Sequence, residues 1–463
     1  MDFIGAELAQ KAILANTSPR YRRLEKLERW AEGSQYDGLV SWWDDSVPLW
    51  ERAPCFVYPI AKIAIDSNTD LVLGEGRFPS FSTKPDENEG AETSGTDEKA
   101  SEDIDRFLGE YHRLCRFKAH ARFAFTAAQS CGTAVAIHGA RDGRPFADLI
   151  PAKWGTPELG THGEVLSIEV RYPYVEEYKQ MDGKWAVRAK LYRRVIDATR
   201  DITFFPADAN LNGTEPNWIQ DPQNSGVHNL GFAPVIWYPF MRGCVPVNVI
   251  DGHAVHATVL DEIRAHDIAI SQRHRGALLS EGQIVEIGVT PGENPTDPGR
   301  QARLASVDEK TGQVVGTFRD PGKPQAARKK GPGYPWQYAD PQTKVEWIAS
   351  PTSAFDSQDK NARDLRTKIM QALAVVLLDH EGVQGIRELS GKALEAIKQT
   401  QLDRCDQYRD DVRDGFLLPS VDMQLRISQK LGASLQVPGI EKMIPALKKF
   451  SKPEPKGPIR AVG

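Results

Sequence analysis

Between Gly132 and Ile202 apolar residues recur at about every second position, through TAVAIH, EVLSIEVRY, KWAVRAKLYRRVI and DITFF. On either side they recur at three- and four-residue steps instead. A period of two fits half-buried strands and a period near 3.6 fits amphipathic helices. The chain is therefore confined to an α+β fold in which a block of antiparallel strands interrupts a largely helical sequence. Turn signals at Arg141-Asp142-Gly143 and Met181-Asp182-Gly183 place hairpins inside that block.

The helical stretches are predicted over Tyr21 to Glu32, around Ile60 to Asn68, over Ile104 to Gln129, from about Gly252 to Arg275, over Thr352 to Leu378, and from an N-cap at Ser390 to about Asp414. In the fourth of these, Val255, Val259, Ile263, His266 and Ile270 form one stripe. Pro234 before Val235-Ile236-Trp237-Tyr238 predicts a short strand at an edge or at its own first residue. Two strand-like runs, QIVEIGV and QVVGTF, and a third at KVEWIA lie between Gly276 and Ser350 among loops dense in proline, glycine and base. The stretch from about 79 to 103 is acidic and nearly free of apolar residues, so it is expected to be a mobile surface loop. LLPSVDMQLRI is ambiguous, and SKPEPKGPIRAVG reads as a disordered tail.

At 463 residues the chain exceeds one ordinary core, so about two to four sub-domains are expected. Its 40% hydrophobic and 26% charged residues exclude a wholly disordered chain, a collagen-like repeat and a polytopic membrane protein. The longest apolar run, Ala372 to Leu378, is too short to span a bilayer, and the amino terminus lacks a signal-peptide layout. With 58 basic against 63 acidic residues, a net charge of -5, no global basic field draws the chain onto nucleic acid, and any DNA contact must be local or weak. Cys55, Cys115, Cys131, Cys244 and Cys405 lie far apart, which signals buried free thiols in a reducing cytoplasm.

Catalytic signatures do not emerge. Gly385 to Ala393 has five residues between its glycines where a phosphate-binding loop has four, and Ala393 stands where the Mg²⁺-binding hydroxyl belongs. Gly74-Glu75-Gly76 starts like a dinucleotide fingerprint but lacks the next glycine. His253, His256, His266 and His274 are expected to be solvated or interfacial, and Trp42 and Trp43 to be packing anchors beside Asp44 and Asp45. Arg328-Lys329-Lys330 is either a solvated loop or a contact for an acidic or phosphate-bearing partner. No catalytic residue, cofactor or metal site is assigned.

The order of these elements resembles the portal proteins of tailed bacteriophages. The residues that carry the resemblance are Tyr21-Arg22-Arg23-Leu24, Leu230-Gly231-Phe232-Ala233-Pro234-Val235, the β insert between two long helices, and Ser390-Gly391-Lys392-Ala393-Leu394. The resemblance implies a portal fold and no enzymatic activity. It implies a wing over 1–250, a first stem helix over 251–275, a clip over 276–351, a second stem helix over 352–378, a tunnel loop over 379–389, wing and crown helices over 390–450, and a tail over 451–463. Function and partners follow in the same way: a homo-oligomeric ring of twelve subunits at the capsid vertex of a virion, assembled in the host cytoplasm. Double-stranded DNA would pass through it during packaging and ejection. It would dock the terminase, the major capsid protein and an adaptor or head-completion protein, without a membrane. The tunnel-loop residues would be Asp379, His380, Glu381, Gln384, Arg387 and Glu388, whose acidic balance suits a lining that does not grip phosphates. The clip contact would be Arg328, Lys329 and Lys330. The competing class is a metal-dependent nuclease or other DNA-processing enzyme, in which scattered carboxylates meet around Mg²⁺; a virion adaptor ring is a third.

Overall fold

The computed structural model describes residues 11–44, 46–74, 76–79, 81–83, 95–161, 163–179, 185–210, 212–241, 250–280, 284–287, 306–307, 314–315, 344–347, 352–375, 391–441, 443 and 453–455. It is a mixture of helix and sheet, as the two periods predict.

Helix α1 (Pro19–Glu32) opens where the Ser18 side chain accepts the Tyr21 amide and proline fills the first turn, and it closes at Gly33 with φ 84°. Three helices follow: α2 (Ile60–Leu73), α3 (Gly95–Leu114) and α4 (Phe117–Cys131). Helix α2 runs five residues past its predicted end at Asn68, through Thr69 to the buried pair Val72 and Leu73. Helix α3 starts inside the stretch expected to be a loop. Between Gly95 and Asp103 only Ala100 is apolar, so the sequence offers no period to read there. The remainder of that stretch, 84–94, lies outside the described residues.

The strand block is two sheets rather than one. Strand β2 (Thr133–Arg141) lies between β3 (Arg144–Ile150) and β10 (Val235–Pro239), all antiparallel. Asp142 and Gly143, with φ 52° and 76°, make the tight β2–β3 turn that both positions' preference for positive φ predicts. Strand β10 starts directly after Pro234 and lies at the edge, as expected. The second sheet pairs β4 (Gly155–Leu159), β5 (Val165–Lys179), β6 (Trp185–Ile196), β7 (Arg200–Thr203) and β9 (Gly226–Val227) in that order, with β8 (Ala207–Asp208) on β6.

Strand β2 explains the layering, because both of its faces are covered. Ala134 and Ala136 join a core with Phe107, Phe125 and Phe416, while Val135 and Ile137 join Leu24, Ile168 and Ile196 on the other side. The three-stranded sheet is thus a middle layer between helices and the second sheet.

Beyond it come α5 (Leu260–Ser280), the antiparallel pair β11 (Ile284–Ile287) and β14 (Lys344–Trp347), the pair β12 (Ser306–Val307) and β13 (Val314–Val315), and α6 (Thr352–Ala372). Helix α5 starts eight residues later than its stripe suggests. The backbone amides of Gly252, His253 and Val255 donate to Gly132, Phe240 and Gln129, so they are committed to other elements and cannot build helical turns. Helix α6 stops at Ala372 rather than Leu378, because Ala374 adopts φ 52° and breaks the helical path. Then come α7 (Gly391–Val412), a π-helical turn over Arg413–Leu417 and α8 (Leu418–Leu431), so the ambiguous LLPSVDMQLRI segment is helical. Part of the tail expected to be disordered forms β15 (Pro453–Pro455), antiparallel to β1 (Phe81–Thr83).

The chain divides into two units. One comprises Met1–Ala53, Val57–Arg264 and Arg366–Gly463, the other Pro54–Phe56 and Ala265–Leu365. The division falls inside α5 and inside α6. In the second unit the two helices are cross-linked: Arg273 contacts Asp359 at 2.6 Å, and Asp359 also takes Arg363 at 3.1 Å. The Phe56 amide donates to Ser271 Oγ at 3.1 Å, and the Phe56 ring meets His274 edge-on at 4.5 Å.

Candidate functional site

The residues singled out for DNA contact, Asp379, His380, Glu381, Gln384, Arg387 and Glu388, lie outside the described residues, as do Arg328, Lys329 and Lys330. What is described is the frame in the first unit from which α5 departs, to which α6 returns, and from which residues 376–390 run to α7.

At the departure point Asp251 is 2% exposed and carries three donors. Arg20 grips it with two nitrogens, Nε to Oδ2 at 2.8 Å and an Nη to Oδ1 at 2.7 Å. Arg23 adds a contact to Oδ2 at 2.7 Å, and Thr133 Oγ1 donates to Oδ1 at 3.2 Å. Arg20 also donates to the carbonyls of Gly155 at 2.7 Å and Ala152 at 3.0 Å, and its guanidinium lies 5.2 Å from the Trp237 ring. One carboxylate therefore ties α1, β2 and the chain leading to α5 into a single charge-assisted cluster. Beside it a Cβ on Gly252 would stand 2.1 Å from the Phe240 carbonyl oxygen and 2.5 Å from that of Gly132, so the backbones can approach only with glycine there. His256 is fully buried, and its Nε2 donates to the Leu27 carbonyl at 3.0 Å. Burial lowers its pKa to about 4. The expectation of solvated or interfacial histidines is thus wrong for His256 and for His266, which is also buried; spacing alone does not show that packing covers them. Trp42 is buried as expected of an anchor, whereas Trp43 is half exposed.

The ends of α5 and α6 that belong to this unit share a core. Val259 and Ile263 pack with Ile369, Met370, Leu373 and Val375 against Trp30, Ile60 and Ala64. Residues 376–390 consequently start from an apolar anchor at Val375. Arg404 of α7 donates to the Ala372 carbonyl at 3.1 Å, which ties the end of α6 to the helix that follows the segment. Helix α7 is fixed in turn on α2, where Gln401 donates to Ser67 Oγ at 3.0 Å and the buried Arg409 donates to the Leu71 carbonyl at 2.7 Å.

Helix α7 is also held to β10. The Tyr238 hydroxyl donates to Asp411 Oδ2 at 2.6 Å and the Met241 amide donates to the same oxygen at 3.2 Å. Gly415 has no side chain where the Tyr238 ring sits; a Cβ there would stand 2.6 Å from it. Burial raises the Asp411 pKa and the two donors oppose that rise. Tyr238→Phe is expected to cost about 2 kcal/mol in denaturant unfolding and to move the Asp411 titration further upward, followed by its side-chain carboxyl resonance.

Burial pushes the thiols of Cys115 and Cys131 up to about 12 and that of Cys405 to about 11, so they remain protonated and weakly nucleophilic. Among the described residues no helix is long and apolar enough to cross a membrane, and no group of His, Cys, Asp or Glu converges as metal ligands. Sequence reasoning missed the Asp251 cluster, whose members are separated by up to 231 residues and carry no local pattern.

No known protein family matches the chain, and no curated protein matches it. A chain of the solved structure described as "Virion of native gene transfer agent (GTA) particle" is similar at 12% identity and a TM-score of 0.36, over 93% of this chain and 89% of that one. A likeness of that size carries no weight in the reading below.

Proposed function

We propose that the chain is the subunit of a portal-type ring, a passive conduit for double-stranded DNA at one capsid vertex. The observation that carries the reading is the shared core of the two long helices. The chain leaves the first unit through α5 and re-enters through α6, and Val259 and Ile263 pack with Ile369 and Leu373 where it does so. A wing that carries a stem and clip needs such an anchor. In this reading residues 1–250 form the wing, 276–351 the clip, and 379–389 a tunnel loop hung from the same core. Asp379, Glu381 and Glu388 would keep the lining from gripping phosphates, with His380, Gln384 and Arg387 beside them. Arg328, Lys329 and Lys330 would contact the terminase and later the adaptor, and the wing would meet the major capsid protein. The order of sequence motifs that resembles the portal family supports the same assignment.

The test is negative-stain imaging of the purified protein together with its native mass. Twelve copies of 51.4 kDa give roughly 620 kDa in a closed ring with a central hole. A monomer or dimer that cleaves DNA in Mg²⁺ and stops with chelator would overturn the portal reading in favour of the nuclease.

A further inference from the structure

The largest apolar core, where α3, α4, β2 and α8 meet, also collects polar atoms that no protein group satisfies. His138 on β2 is 1% exposed, its amide donates to the Pro234 carbonyl at 2.8 Å, and neither ring nitrogen has a protein partner. His112 on α3 stacks on Phe117 with ring centres 4.5 Å apart and shares its Nε2 with Gln424 Oε1 of α8 at 3.0 Å. Tyr111 Oη, His120 Nδ1, Ser420 Oγ and Gln424 Nε2 are buried and likewise without a protein partner. A core with six unmet polar atoms on five side chains from four elements is unusual, because each such group costs stability that an apolar side chain would not.

We propose that His112, His120 and His138 form an acid-sensitive latch that keeps α8 docked while they are neutral and releases it when they are protonated.

The surroundings offer an added proton one carboxylate, Asp148 beside His120. The buried polar residues of helix α8, Ser420, Gln424 and Ser428, are all neutral. His138 feels His120 and His112, each of which opposes a charge on it. His120 has one attractive neighbour, Asp148 of β3, set against the repulsive Arg116. Tyr111 and Cys115 of α3 are themselves held protonated by burial. On β10 and α7, Tyr238 and Asp411 pair with each other, and the raised pKa of Asp411 makes its protonation favourable on acidification, the opposite sense to the histidines. Burial, then the two other histidines, lowers His138 to about 3; burial lowers His112 to about 4 against the Gln424 hydrogen bond; burial lowers His120.

A histidine whose folded pKa lies below its unfolded value near 6.5 contributes stability that is fully present above that value and is lost as pH falls towards the folded pKa. For a site neutral when docked and titrating at about 6.5 when exposed, the opening equilibrium rises about 25-fold from pH 7 to pH 5, and His112 and His138 together give about 600-fold. His256, which burial also lowers, lies outside this core and affects global unfolding only.

Hydrogen exchange of the full-length protein at pH 7 and pH 5, corrected for the intrinsic rates, tests this. The expected result is that 418–431 loses protection by up to about 600-fold at pH 5 while 185–196 of β6 does not. The double variant His112→Gln, His138→Leu should lose most of that step, leaving only what His120 contributes, and His256→Gln should retain it. Equal protection of 418–431 at both pH values would overturn the latch. So would a joint loss in both segments, which is global acid unfolding, or a step that is undiminished in the double variant.

Discussion

Asp251→Ala is expected to destabilise the first unit by about 3 to 5 kcal/mol, seen as a lower midpoint of its transition in guanidinium chloride. The substitution deletes the acceptor shared by Arg20, Arg23 and Thr133, and it leaves Arg20, only 20% exposed, as a charge without its carboxylate. Arg20 keeps its bonds to the Gly155 and Ala152 carbonyls, which places the loss nearer the lower end of that range. Arg23→Ala removes the other ion pair from the opposite side. Arg23 is 57% exposed, so water replaces most of what it gives and the cost should stay below about 1 kcal/mol. Comparable losses from the two variants would mean that Asp251 is not the organising charge. Because Asp251 lies beside Gly252 on the chain leading to α5, its loss should also loosen the base of the proposed stem.

The comparison of sequence with structure separates two kinds of information. Local rules were legible: the hairpin at Asp142 and Gly143, the edge strand after Pro234, and the alternate faces of β2 each follow from backbone chemistry or from a period. Errors arose where distant partners decided. The spacing of Val255, Val259 and Ile263 reads as continuous helix, yet the amides of Gly252, His253 and Val255 are taken by residues from Gln129 to Phe240. Helix α3 begins in a polar stretch that carries no apolar period to read, and β15 forms because it meets β1, about 370 residues earlier in the chain. For the site the contrast is sharper. Arg23 stood in a motif that drew attention, but nothing in the sequence pairs it with Asp251, and the three histidines of α3, α4 and β2 share no spacing that would group them.

The charge-reversal pair Glu381→Lys, Glu388→Lys is expected to leave ring assembly intact and to reduce DNA packaging at least tenfold. Each substitution changes the lining by two charges, so a subunit gains four and a proposed ring of twelve gains about 48, against a duplex that carries one negative charge per roughly 1.7 Å. Lysines at a sliding interface neutralise phosphates and release counterions, and every such contact must break before the duplex advances. The corresponding Glu→Gln pair removes negative charge without adding a donor cation and should be much milder. Salt separates this mechanism from simple misfolding. Counterion release weakens steeply as salt rises, so packaging by the lysine variant should recover partly with increasing ionic strength, whereas a damaged fold would not be repaired. Native mass is measured on the same preparation, and a closed ring whose packaging is unaltered by the lysines would remove Glu381 and Glu388 from the channel lining.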